Sequence, residues 1–258
     1  MTSCVRPVAR WYRRAVVALG VCGAALSGTA SAPGVPIGAS APTALGQRPA
    51  PADIVGRSVD GRPLRAVHIG SGRGPAILVF GAIHGNETAG IAVARDVLAD
   101  ARRVRSNVWV VSDLNPDGVA RGTRQNARGV DLNRNFPWRW RITGQVGDLE
   151  FSGPRVLSEP ESRFAYALIR RLRPQVTIWF HQPFDVVDAS GGSSRVEQRF
   201  ASRVGLRVRE LSRYHGSAAS WQNHRFRSTT AFVVELPAGV LSEASVERYA
   251  RAVEMAAR

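Results

Sequence analysis

Three short apolar runs constrain this chain most: Ala76–Phe80, Val176–Phe180, broken only by Thr177, and Ala231–Val234. Continuous runs of this kind, bounded by glycine, proline or charge, read as strands buried on both faces, as found where helices cover both sides of a largely parallel sheet. Each run carries an ionisable group to its carboxyl end. His84 follows the first across the turn Gly81-Ala82-Ile83, His181 follows the second directly, and Glu235 follows the third directly. Carboxyl ends of neighbouring strands in such sheets open onto one crevice, so these side chains are expected to meet.

The intervals between the runs read as helices and one further strand. Thr88–Val104 places Ile91, Val97, Leu98 and Ala101 at helical spacing, and Ser158-Glu159-Pro160-Glu161 reads as a capping box opening a helix with Phe164, Ala165, Leu168, Ile169 and Leu172 on one face. Helices are also expected near Val196–Val204 and from Ser242 onward. Asn107–Ser112 reads as a strand that ends in the turn Asn115-Pro116-Asp117-Gly118, and Ile54–Ile69 as a hairpin around Asp60-Gly61. Alternating strands and helices predict an α/β, three-layer sandwich with a mixed, mostly parallel sheet. Val119–Leu157 is rich in glycine and arginine and has no sustained period, which in a compact domain marks a segment that carries function.

Residues 1–32 have the charged, apolar, small-residue order of a secretory signal, and 33–53, with five prolines and two charges, read as a linker. The folded domain is therefore expected over 54–258. Both cysteines, Cys4 and Cys22, fall in the leader, so a metal in the mature protein must be held by His, Glu or Asp. His84 and Glu87 stand three apart at a strand-to-helix turn and can aim at one point. With His181 they make two imidazoles and a carboxylate, a zinc set that leaves the fourth position open to water, and Glu235 is then the natural general base.

The formal charge of +15 falls to +11 once the four arginines of the leader are removed, and all 35 basic residues are arginine. Such a charge permits nucleic-acid binding, but no recognisable binding motif accompanies it. Guanidinium groups near a site equally suit a carboxylate substrate.

From Ile54 onward the sequence resembles the zinc metallocarboxypeptidase family, in the branch of murein peptide amidases and γ-D-glutamyl-diaminopimelate peptidases. His84-Gly85-Asn86-Glu87 is similar to the paired ligand motif of that family. Asn115-Pro116-Asp117-Gly118 and Gly129-Val130-Asp131-Leu132-Asn133-Arg134-Asn135-Phe136-Pro137 resemble its signature loops. His181-Gln182-Pro183 and Val234-Glu235-Leu236-Pro237 resemble the third-ligand and general-base motifs, and Gly216-Ser217 with Ser220-Trp221 resembles the amidase branch. The resemblance implies one Zn2+ per chain on His84, Glu87 and His181, Glu235 as base, and Arg124 polarising the scissile carbonyl, with Arg121 as a rival. It implies that Asn133 and Arg134 hold a substrate carboxylate. The sequence departs from the digestive enzymes in that no tyrosine aligns with their mobile active-site tyrosine: Tyr214 or His215 either fills that position or is an ordinary loop residue. Asp185 and Asp188 either border the pocket for a diaminopimelate amino group or face water.

The expected partner is a peptide with a free carboxylate, drawn from the cell wall, met outside the cytoplasm by a monomer without nucleic acid and without a membrane anchor after leader cleavage. Two other readings start from the same residues: a deacylase of N-acyl amino acids of the succinylglutamate desuccinylase and aspartoacylase type, and a wall-peptide binder without catalysis.

Overall fold

The computed structural model describes residues 54–256, apart from 71–72, 102–103 and 212. The leader and linker expected over 1–53 lie outside the described residues. Among the described residues an eight-stranded sheet runs in the order β1-β2-β4-β3-β5-β8-β6-β7. The strands are β1 Ile54–Arg57, β2 Pro63–Ile69, β3 Ala76–Phe80, β4 Asn107–Val111, β5 Val176–His181, β6 Val186–Asp188, β7 Arg207–Arg209 and β8 Thr230–Glu235. The four central strands β4, β3, β5 and β8 are parallel, while β1, β2 and β6 join antiparallel to their inward neighbours, so the sheet is mixed as predicted.

Successive side chains on a strand point to opposite faces, and the central strands are apolar on both. Ile77, Val79, Ile178, Phe180, Phe232 and Val234 pack under the helices α1 Ala89–Ala99, α4 Ser194–Val204 and α6 Glu243–Glu254. Leu78, Phe80, Trp179, Ala231 and Val233 face the other way, towards α3 Pro160–Leu172 and α5 Ala218–Arg225. Phe80 stacks on Trp179 with ring centroids 3.8 Å apart, which anchors the two strands that carry His84 and His181. These two cores make the three layers.

Several local expectations change. Helix α1 stops at Ala99 rather than Val104. The capping box does not form: Glu159 is the N-cap without a side-chain bond, Ser158 Oγ accepts from Asn135 Nδ2 at 3.0 Å, and Glu161 accepts from the Val59 amide at 2.9 Å. Long-range donors have taken the oxygens that a local cap would use. The Asn-Pro-Asp-Gly turn opens a short helix, α2 Pro116–Arg121, with Asn115 Oδ1 accepting from the Gly118 amide at 3.0 Å and proline in the first turn. Strands β6 and β7, three residues each, and helix α5 have too little periodicity to be read from sequence.

Candidate active site

β3 ends at Phe80, and the turn to α1 carries His84 and Glu87 across the mouth of the sheet. The turn lies so close to α2 that a Cβ on Gly85 would stand 2.0 Å from the Gly118 carbonyl carbon, a position only glycine tolerates. A Cβ on Gly90 would likewise meet Gly81 O at 2.1 Å, so α1 starts directly against the strand end. β5 delivers His181 and β8 delivers Glu235, and the parallel register sets these two residues side by side.

The result is one tight cluster. Glu87 Oε2 lies 2.9 Å from His84 Nδ1 and 3.0 Å from His181 Nδ1, and the two imidazole rings meet edge to face at 4.7 Å. One donor atom from each of His84, Glu87 and His181 lies within 4.8 Å of the others, and all three residues are buried. Ligand atoms about 2 Å from a tetrahedral ion stand about 3.3 Å apart, so the spacing fits zinc. The chemistry fits as well: His84 Nδ1 is buried without a hydrogen-bond partner although a carboxylate oxygen stands beside it, and a cation between the donors satisfies both. Burial works against ionisation of Glu87, yet His84 and His181 hold its carboxyl well below the usual carboxylate range.

Glu235 stands at the edge of this cluster with Oε2 buried and unpartnered. Burial is the largest influence on its carboxyl and raises its pKa, with Glu87 adding to the rise and the histidines opposing it. A carboxyl with a free oxygen and a raised pKa is suited to accept a proton.

The ligand side chains are themselves held by hydrogen bonds, and Asp131, which holds His84, carries no assignment from its sequence position. Asp131, wholly buried, accepts from His84 Nε2 at 3.0 Å, fixing the ring so that Nδ1 faces the other ligands. The same carboxylate accepts from the Asn133 amide at 2.9 Å and from Arg124 Nε at 3.0 Å. A histidine ligand needs an acceptor on its far nitrogen, and that requirement was the signal available in the sequence. Gln182, also unassigned, donates its backbone N–H to Glu87 Oε2 at 3.2 Å, accepts from the Ala89 amide at 3.0 Å and donates to Pro237 O at 2.7 Å. It ties the start of α1 to the ends of β5 and β8. Asp131→Asn is expected to weaken zinc binding by roughly 10- to 100-fold, read by competition with a chromophoric chelator. Wild-type affinity in that variant would remove Asp131 from the metal's support.

The candidate arginines separate. Arg124 Nη1 donates to Glu87 Oε1 at 2.9 Å and the group also grips Asp131, so its guanidinium borders the metal ligands with N–H groups to spare. Arg121 instead donates to Asp60 and to Ala127 O, away from the cluster. Arg134 is buried, with Nη1 4.0 Å from Asp131 Oδ2, Nη2 donating to Glu150 Oε1 at 2.8 Å, and the Tyr214 ring 4.0 Å from its Cζ. Asn133 Oδ1 accepts from the Ala218 amide at the start of α5, leaving its amide nitrogen as donor. His215 Nδ1 sits 2.9 Å from Arg139 O, so of the two candidates at that position Tyr214 is the one over Arg134. Asp188 accepts from the Leu211 amide and from Ser190 Oγ, a structural use, and Asp185 is exposed.

Residues 50–187 match the zinc carboxypeptidase family profile. Murein peptide amidase A of Escherichia coli K12 is 31% identical over 144 residues, covering 52% of this chain and 60% of that protein, so the match spans less than two thirds of its length. Murein peptide amidase A of Vibrio campbellii is 30% identical over 207 residues, covering 75% of this chain and 82% of its own. The crystal structure of a murein-tripeptide amidase from Escherichia coli O157 superposes with a TM-score of 0.65 at 27% identity, over 81% of this chain and 92% of its own.

Proposed function

The chain belongs to the zinc carboxypeptidase family, and from that premise we propose that it is an extracytoplasmic peptidase that cuts an amide bond beside a free carboxylate in cell-wall peptides, the bond between γ-D-glutamate and diaminopimelate being the favoured target. That it is a zinc-dependent hydrolase follows from the family together with its His84, Glu87 and His181 cluster. The observation that carries this reading is the meeting of that cluster with Glu235, in register beside His181, and with Arg124, bonded to Glu87. The leader-like composition of residues 1–32 supports the location, and the murein peptide amidase relatives support the substrate class.

Zinc, when bound, supplies a Lewis acid that brings the pKa of water towards neutrality. The protein's own groups divide the remaining work. Arg124, kept charged by Asp131 and Glu87 against the opposing effect of burial, offers its remaining N–H groups to the scissile carbonyl oxygen as negative charge develops there. Glu235 takes a proton at Oε2 from the attacking water and returns it to the leaving nitrogen. Arg134 and the Asn133 amide hold the carboxylate next to the cut.

The test is mass spectrometry of muropeptides incubated with the zinc-loaded protein. The expected products are a peptide ending in D-glutamate and free diaminopimelate or a peptide beginning with it. Release of acyl groups from N-acyl amino acids, with muropeptides left intact, would replace this reading with the deacylase one.

A further inference from the structure

We propose that Glu150 is an internal occupant of the carboxylate clamp: it sits on Arg134 in the free protein and is displaced by the substrate's own carboxylate, so that every carboxylate bound there competes with it. The inference rests on Arg134 being that clamp. Its basis is the hydrogen-bond inventory of one guanidinium. Nη1 donates to Asn133 O at 3.1 Å, Nη2 donates to Glu150 Oε1 at 2.8 Å, one face is covered by Tyr214, and Nε is buried without a partner. Only 5% of the Arg134 side chain is exposed, so an incoming carboxylate cannot reach its donors without contending with Glu150.

Glu150 is placed there by the fold. The Asp131 amide donates to Phe151 O at 2.8 Å, Asn135 Nδ2 donates to Ser152 O at 2.8 Å, and Thr143 Oγ1 donates to Glu150 O at 2.9 Å, which lays residues 150–152 along the loop that carries the clamp. The backbone is pinned while the side chain is 53% exposed and makes a single-point contact. A carboxylate that grips a guanidinium through two parallel N–H groups makes the stronger pair, and one arriving on the Nε and Nη2 edge also satisfies the donor that Glu150 leaves unpaired. The substrate's carboxylate, held in place by the rest of the peptide at the metal, therefore displaces Glu150 into water. A neutral chain end has that anchor but no charge to pair with Arg134, and a small free anion has the charge but no anchor, so neither displaces it as readily.

The experiment compares wild type with Glu150→Gln and Glu150→Ala, using one substrate with its carboxylate free and the same substrate amidated, with acetate as a competing anion. A half-exposed pair is weak, so KM for the free acid is expected to fall roughly two- to five-fold with kcat unchanged, and the inhibition constant for acetate to fall alongside it. The amidated substrate should show no change. An unchanged or raised KM for the free acid, or an equal shift for both substrates, would overturn the proposal. A rise confined to substrates bearing an ammonium group would do so too, by making Glu150 a direct substrate contact. The two readings fail separately: if Arg134→Ala keeps the free-acid preference the clamp itself is misplaced, whereas loss of that preference with no effect at Glu150 overturns only the displacement.

Discussion

Glu235→Gln is expected to keep its fold and its zinc while losing about two to four orders of magnitude in kcat, because an amide oxygen cannot take the proton that a carboxylate takes. The geometry makes the substitution clean. Glu235 follows the last apolar residue of β8, its neighbour across the sheet is His181, and its Oε2 makes no hydrogen bond in the structure, so an isosteric amide disturbs no existing pair. Burial already disfavours its charged form, and replacing it by a neutral group removes that cost. The measurement is zinc stoichiometry together with kcat on one preparation. His84→Ala supplies the contrast: a three-ligand site short of one ligand loses metal and activity together. Near-normal turnover of the zinc-loaded Glu235→Gln variant would remove Glu235 as the base.

Arg134→Ala is expected to depress kcat/KM for a free-acid substrate by roughly two to three orders of magnitude, the loss that accompanies removal of one partner from a charge-assisted pair worth about 2–5 kcal/mol in a partly desolvated site. The alternative is an arginine that merely braces its loop, and the structure shows how far that role extends. Its one strong acidic partner is Glu150, half-exposed, and Asp131 keeps His84 and Arg124 as closer partners. Removing Arg134 therefore strands no buried charge, and the thermal midpoint should move little. Wild type should prefer the free acid strongly over its amide, and the variant should treat the two almost alike. If the variant retains the full preference, another group binds the carboxylate. Arg128, exposed and 3.6 Å from Glu159, or Arg139, stacked over Trp138, is then the next arginine of that segment to test.

Sequence by itself was enough for the frame and for the metal ligands. The apolar runs at Ala76, Val176 and Ala231 bury both faces of their strands whatever surrounds them, so their position in the sheet follows from composition over five or six residues. The candidate site residues were legible for the same reason. His181 and Glu235 are the residues at which two buried strands end, and His84 and Glu87 share one turn, so locating the strands located three candidate ligands and the candidate base.

Only the tertiary structure decided the rest, and all of it lies in segments without a period. Val119–Leu157 contains several arginines and acids that look alike in one dimension. Arg124 is set apart from Arg121 because the loop brings it against Glu87, 37 residues earlier, while Arg121 reaches back to Asp60. Asp131 stands behind His84 across 47 residues, and Glu150 caps Arg134 through backbone bonds that no local pattern announces. Strand β6 pairs with β8 and β7 with β6, and the Ser158 hydroxyl, which precedes the cap of α3, accepts from Asn135 instead of from its helix. Hydrophobic periodicity is a local property and survives in the sequence. A hydrogen bond or ion pair between loops is set by the backbone of both, and that is defined only once the sheet has brought them together.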